Sequence, residues 1–245
     1  MTDIFPTLVK EEEQAGIGRK LCSVRAVSTN KIGLLREDAM EATIVAEGGE
    51  FPVDRSLYST ISVTVQKLGV TVYVPVEYAE DENYDYINDK KRSVTRAVQR
   101  AEDKLIIDTI LADTGINSIS ADTTGELNIE DITEAVNYME DAEYTADRLV
   151  IHPDQAQDLR DRGEMTTMER KLAETYAMQI IVTEDVSSGT ALVMNGKHAV
   201  TLVVRRKKTI KQRLDATADN DIITVSERVG VGVVRPSLVT KIATC

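Results

Sequence analysis

Residues 84–112 read YDYINDKKRSVTRAVQRAEDKLIIDTILA, a run with neither glycine nor proline. Ile87, Val94, Val98, Ala101 and Leu105 recur in it at the seven, four, three, four spacing of one helical face, with Ala97 beside them and charges between. The spacing predicts a helix of about 43 Å at ~1.5 Å per residue. The usual globular helix is about 11–12 residues long. A compact enzyme core has little use for such a rod, whereas a spine on which other elements hang does.

Composition bounds the rest. The chain has 245 residues, enough for one large or two small domains, and a formal net charge of −12. A field of that sign disfavours bulk nucleic-acid binding, although local basic patches can still touch it. Cys22 and Cys245 are the only cysteines; they form no CxxC pair and exclude a disulfide scaffold. No apolar run approaches the ~20 residues that span a bilayer. The opening MTDIFPTLVKEEEQ lacks the basic and apolar regions of a signal peptide, so the expectation is a soluble intracellular product.

Upstream of the spine, residues 60–76 read as extended. Ile61, Val63 and Val65 alternate with polar residues, and Val70, Val72, Val74 and Val76 alternate in the opposite parity, so a bulge or bend is expected at Leu68-Gly69. A continuous run of that length would reach about 56 Å at ~3.3 Å per residue. It would project beyond the body that carries it and need another subunit to cover it. Residues 41–46 can form its return strand, joined through the turn-rich Glu47-Gly48-Gly49-Glu50-Phe51-Pro52. Residues 1–40 show no sustained period and carry Gly16, Gly18 and Gly33; they read as an arm, with a short helix around residues 7–14, or as an ordinary flexible terminus. The acidic 77–83 suits the start of the spine or is a solvated face.

Asp113-Thr114-Gly115 stops the spine. An α/β pattern follows. Asn128 can cap a helix with Ile132, Ala135, Val136 and Met139 on one stripe. Residues 149–151 read as a buried strand, 154–160 as a helix, and 180–182 and 191–194 as strands flanking the turn at 185–189. Asn195-Gly196 signals a tight hairpin before the strand at 199–204. Residues 222–234 and 238–242 close the chain as strands, interrupted at Arg235-Pro236. The simplest topology inserts residues 127–225 between the spine and a C-terminal sheet.

This order of parts resembles the major capsid proteins of tailed phages and archaeal tailed viruses. The resemblance rests on an arm, a ribbon tipped by Glu47-Gly48-Gly49, an acidic lead-in and a long helix containing Ala101-Glu102-Asp103. It continues through Leu149-Val150-Ile151-His152-Pro153, Gln179 to Thr183, Gly189-Thr190-Ala191-Leu192 and Arg228 through Arg235-Pro236. Encapsulins, the microbial nanocompartments, share the fold. The resemblance implies an α+β capsid fold with an arm (1–40), an extended β-loop (41–76), a peripheral domain (77–126 and 226–245) and an inserted axial domain (127–225). Hexamers and pentamers of one chain would tile an icosahedral shell around double-stranded DNA, assembled in the host cytoplasm. Portal, separate scaffolding and decoration proteins would be its partners. Phe51, Asp54, Arg55, Tyr58 and Lys67 on the ribbon would be inter-subunit contacts. Read as starting at Met1, the arm is expected to be too short for a scaffolding segment of its own, which implies a separate scaffolding protein or none. The Gly-interrupted arm also fits the viral shell better than the encapsulin alternative, whose N-terminal helix forms a cargo groove.

Two basic clusters remain. Lys90, Arg92 and Arg96 lie on the spine, and Arg205, Arg206, Lys207 and Lys208 open a run continued by Lys211 and Arg213. The spine residues read as genome-facing, as subunit contact or as paired with acidic neighbours, and the second run as an edge strand, a subunit contact or a genome-facing patch. No enzyme is expected. His152 and His198 lack metal-ligand spacing, His152 reads as a strand-end residue, and Gly230-Val231-Gly232 lacks the third glycine of a phosphate loop. Neither cofactor nor metal is expected.

Overall fold

The computed structural model describes residues 16–36, 44–45, 59–77, 86–121, 127–141, 143–161, 178–215 and 217–244. The spine is helix α1, Tyr86–Ala112, of 27 residues. It ends as expected, with Asp113 Oδ1 accepting from the Gly115 amide at 2.8 Å. Its buried face differs from the expected one. Ala97 and Ala101 are exposed, and the buried stripe runs through Val94, Val98, Glu102, Ile106 and Ile110. At 3.6 residues per turn, a strict i, i+4 row continues through Glu102; counting only apolar residues diverts the row to Ala101.

The strands are β1 (Ser23–Ala26), β2 (Lys31–Arg36), β3 (Ser59–Thr64), β4 (Gln66–Pro75), β5 (Asn117–Ser120), β6 (Arg148–Ile151), β7 (Gln179–Val182), β8 (Thr190–Met194), β9 (Val200–Asp215), β10 (Asn220–Val233) and β11 (Val239–Ala243). The shorter helices are α2 (Ile129–Glu140), α3 (Pro153–Asp161) and α4 (Gly196–Ala199). A central sheet has the order β1-β9-β10-β4, a second the order β5-β11-β8-β6-β7, and β2 and β3 form a separate ribbon. This is the mixed α+β architecture expected.

The spine lies against β10 and β4. Its N-terminal half packs Val94 and Val98 on Val225, Val72 and Ile210. Its C-terminal half places Ile106, Ile107 and Ile110 in a core that includes Val229 and Val233 of the central sheet and Leu192 and Met194 of the second. The expected α2 stripe, Ile132, Ala135, Val136 and Met139, packs on Leu149, Ile151, Val193 and Ile242. Asp131 Oδ2 accepts from the Asn128 amide at 3.0 Å, so the cap position is also as read.

Several expectations are corrected. The break in the 60–76 run falls at Val65 rather than Leu68-Gly69. Only β3 belongs to the ribbon, paired with β2; β4 pairs with β10 over ten residues of the body. The run is therefore two strands of two sheets, not one projecting flap. The arm is also partly strand, since β1 pairs parallel with β9 and β2 supplies the ribbon's return strand in place of residues 41–46.

The last two concern connectivity. The two sheets interleave along the sequence, so 127–225 is not a simple insertion. β9 belongs with the spine, while β5 and β11 pair with each other and β11 with β8 in the second sheet. Asn195-Gly196 makes no hairpin. Asn195 caps the one-turn α4, its side chain accepting from the His198 amide, and carries the chain from β8 in one sheet to β9 in the other. The expected arm helix at 7–14 and the turn at 47–52 lie outside the described residues.

Candidate functional site

Where the arm root meets the spine, residues of four elements converge on buried charge. Gly18 sits so close to α1 that an added Cβ would lie 2.7 Å from Asp103 Oδ1 and 3.1 Å from its Cα. That approach lets the amides of Gly18 and Ile17 donate to Asp103 at 2.8 and 3.3 Å. Gln99 Nε2 donates to the same carboxylate at 3.0 Å. One residue earlier, Arg19 Nε lies 2.7 Å from Glu102 Oε1. Lys208 Nζ, from β9, reaches Glu102 Oε2 at 3.0 Å and donates to Gln99. Glu227, from β10, completes the cluster, with Arg19 Nη2 3.6 Å from its Oε2.

Two carboxylates here share two cations in a dry site, and their ionisation separates. Burial raises the pKa of Glu102, but the Arg19 hydrogen bond and the charges of Lys208 and Arg19 outweigh it and hold the group below its ordinary value. Burial, then the Glu102 charge, pushes Glu227 up to about 8. Among the described residues no donor group reaches either Glu227 oxygen at hydrogen-bond distance. Burial also raises Asp103, against the donors from Gly18 and Gln99. The cluster is largely buried, with Gln99 and Asp103 at the edge of a cleft, and it ties residues 17–19 to the spine and to both long strands.

Lys208 is thereby corrected as an accessible basic residue: it is buried beneath the spine. The reason is register. Thr209 lies opposite Ser226, Arg206 opposite Arg228 and Val204 opposite Val229, so β9 carries extra residues at two bulges. Simple alternation puts Arg206 and Lys208 on one face. The bulges instead turn Lys208 toward α1 and leave Arg206 on the other side, where its Nη2 donates to Ser226 Oγ at 2.8 Å.

That other side, the far face of the central sheet, gathers residues that the sequence scattered. Lys67 and Tyr73 of β4, Arg206, Lys211 and Arg213 of β9, and Thr224 of β10 line one shallow concavity. Arg228 joins the row of Lys67 and Arg206. Arg205 is half-buried and Lys207 exposed. β1 covers only Thr201–Val204 of β9, so among the described residues the rest of that strand has a free edge. Arg92 and Arg96 are exposed on the spine, and Lys90 stacks on Tyr86, 4.9 Å from the ring centre. Arg96 instead borders a cleft with Arg100, Asp103, Glu184 and Asp185. The basic residues thus face at least two directions. Phe51, Asp54, Arg55 and Tyr58 lie outside the described residues.

The histidines stay as read. His152 ends β6 and its Nδ1 is 3.1 Å from Asp154 Oδ2; His198 packs on Tyr144, with ring centres 5.7 Å apart. Among the described residues no three metal-ligating side chains cluster, and no described helix is long and apolar enough to cross a membrane.

Comparison with known proteins gives the same architecture. A virus-like particle protein from Pyrococcus furiosus is similar at 16% identity, over 96% of each chain, with a TM-score of 0.76. The capsid protein of cyanophage P-SCSP1u matches 94% of this chain and 88% of its own at 16% identity and a TM-score of 0.72. That of Mycobacterium phage Che8 matches 93% and 90% at 14% identity and 0.71. At such identities the likeness carries the fold alone. No curated protein matches the chain. The model of the phage capsid protein family, however, matches residues 58–242, from the ribbon to the last strand. With that match spanning the spine, most of both sheets and the Glu102, Lys208 and Glu227 side of the buried charge cluster, the chain belongs to the phage capsid protein family and is a structural major capsid protein.

Proposed function

We propose that identical copies of this chain close, as hexamers and pentamers, into an icosahedral shell around double-stranded DNA. The observation that carries this is the family match over residues 58–242 on a chain with a 27-residue spine and a ribbon held outside both sheets. The central sheet with its spine acts as the peripheral unit, and the second sheet with α2 and α3 as the axial unit. Phe51, Asp54, Arg55, Tyr58 and Lys67 contact neighbouring subunits. DNA is held by weak, non-specific contact, because the chain as a whole is strongly acidic. Portal, scaffolding and decoration proteins complete the particle, which forms in the host cytoplasm. The chain catalyses no reaction.

Electron microscopy of the purified full chain, with the particle interior assayed for nucleic acid and for co-purifying enzymes, tests this. Closed shells with DNA-compatible interiors are expected. Small soluble oligomers would overturn the reading, and a sequestered enzyme would replace it with the nanocompartment alternative.

A further inference from the structure

Beneath the arm root, Glu227 of β10 is fully buried, and no donor of the described residues satisfies either of its oxygens. The groups that face it come from four elements. From the arm root, Arg19 Nη2 stops at 3.6 Å, beyond hydrogen-bond distance. From β9 comes the cation Lys208, and from β4 the residue opposite is the apolar Leu68. From α1 comes a second carboxylate, Glu102. Glu102 already accepts from Arg19 Nε and Nη2 at 2.7 and 3.2 Å and meets Lys208 Nζ at 3.0 Å. A carboxylate has about four lone-pair sites, so one is left. Cys22 lies under the same turn, its Sγ donating to the Gly18 carbonyl at 3.2 Å. Burial pushes that thiol up to about 12, so it stays neutral at the pH values that matter here.

A carboxylic acid at Glu227 completes this arrangement. Its O–H donates to Glu102, and the cations Arg19 and Lys208 then balance the anions Glu102 and Asp103. A carboxylate at the same place puts a second anion beside Glu102 and leaves one buried negative charge in excess. The arm root is the part that can yield. The spine and both long strands are fixed by apolar cores and by the β9–β10 ladder, whereas the amides of Ile17 and Gly18 and the Arg19 side chain are held by Asp103 and Glu102. Arg19 is the outermost of the four charges, with its side chain 16% exposed against none for Glu102, Glu227 and Lys208. A cleft lined by Ile17, Gln99 and Asp103 adjoins it. Lifting residues 16–20 therefore admits water to both glutamates. The lift stops at Leu21, which is fully buried in the core, just before β1 pairs with β9.

We propose that residues 16–20 are a proton-gated latch: a proton held between Glu102 and Glu227 keeps the arm root closed on the spine, and its loss in mild alkali lets these residues lift while the spine and both sheets stay folded. The effector is the proton itself, and the device does not depend on the shell reading. The direction follows from burial, which raises Glu227 to about 8, so the acid form and the closed latch hold below that value.

Hydrogen exchange of the purified full chain, read by mass spectrometry as protection relative to free-peptide rates at each pH, tests this. The amides of Ile17 and Gly18, which donate to Asp103, and of Lys20 and Leu21, which donate to the Ile17 and Gly18 carbonyls, report the latch. Above about 8 the opening equilibrium rises tenfold per pH unit, so their protection is expected to fall about tenfold between pH 7 and pH 9. Residues 103–110 of the spine should stay within about twofold. E227Q, whose neutral amide donates to Glu102 as the acid does, is expected to hold arm-root protection within about twofold over the same range. E227M removes the titrating group altogether and is expected to be equally flat, so it decides the matter if circular dichroism shows E227Q unfolded. Constant arm-root protection in the wild type would overturn the inference, and so would the same tenfold fall in a folded E227Q or E227M. Loss of spine protection in step with the arm root would overturn it too, by making the opening global.

Discussion

Glu102 and Glu227 are both fully buried, within reach of the same Arg19, yet they titrate in opposite directions. Glu227 takes up its proton on folding, because its pKa rises from an ordinary carboxylate value to about 8. A group raised in the folded state contributes stability that is complete below its unfolded pKa and is lost as pH rises through the folded value. The chain should therefore lose stability between about pH 5 and pH 8 on this account, and E227Q should flatten that decline. Unfolding midpoints at pH 6, 7, 8 and 9 check it; parallel slopes for the two proteins would refute it. Glu102, held low, has the opposite dependence: its contribution is present above the ordinary carboxylate pKa and is lost as the pH falls into acid. K208M removes one of its two cations without removing the carboxylate. Leaving a buried charge short of a partner costs about 3–5 kcal/mol, so chemical denaturation should show K208M strongly destabilised, whereas K207M on the exposed neighbour should change little.

At the scale of elements, the spine was legible as one unbroken helix and in its C-terminal stop, because an uninterrupted helical period and a polar stop are local properties. Its buried face was not, since Glu102 reads as a solvent residue until Arg19 arrives from the arm root and Lys208 from β9, 83 and 106 positions away. Exposed Ala101 should accept Lys with less than about 0.5 kcal/mol of effect. Val98→Asp puts an unpaired carboxylate between α1 and Val225 and should prevent folding; circular dichroism on the two variants separates the two faces. The ribbon crossing is equally specific. Gly232→Val must displace Val63 and Leu34, whose methyls lie 2.5 and 2.9 Å from the Cβ position. That overpacking should cost about 1–3 kcal/mol, read as a lower denaturation midpoint. The bulges in β9, which decide that Lys208 faces in and Arg206 out, have no signature in RRKKTIK itself; they exist because β10 pairs with it in one register.

For the whole molecule, the ribbon tip and the body are separable. Deleting residues 48–58 leaves every described strand and both cores in place, so the chain should remain folded and soluble with an unchanged circular dichroism spectrum. It should no longer close into shells, as sedimentation and electron microscopy would show. Normal particles from the shortened chain would remove the ribbon from any role in assembly. The order of parts along the sequence was enough to bring out the resemblance to capsid proteins, because that order survives when each motif is weak. The domain plan drawn from it was too simple, since β11 returns to the second sheet after β9 and β10 have built the first.

The sequence by itself determined many of the elements: the spine and α2, the short strands around residues 149–151, 180–182 and 191–194, and that one rod is too long for an isolated compact core. These follow from periodicity, capping and chain stiffness, which act over a few residues. Only the tertiary structure decided which strands share a sheet, which face of the spine is buried, and which basic residues stand together. Those outcomes depend on pairing register and on partners tens to hundreds of residues apart, where the free energy of a buried charge is set by what comes to meet it.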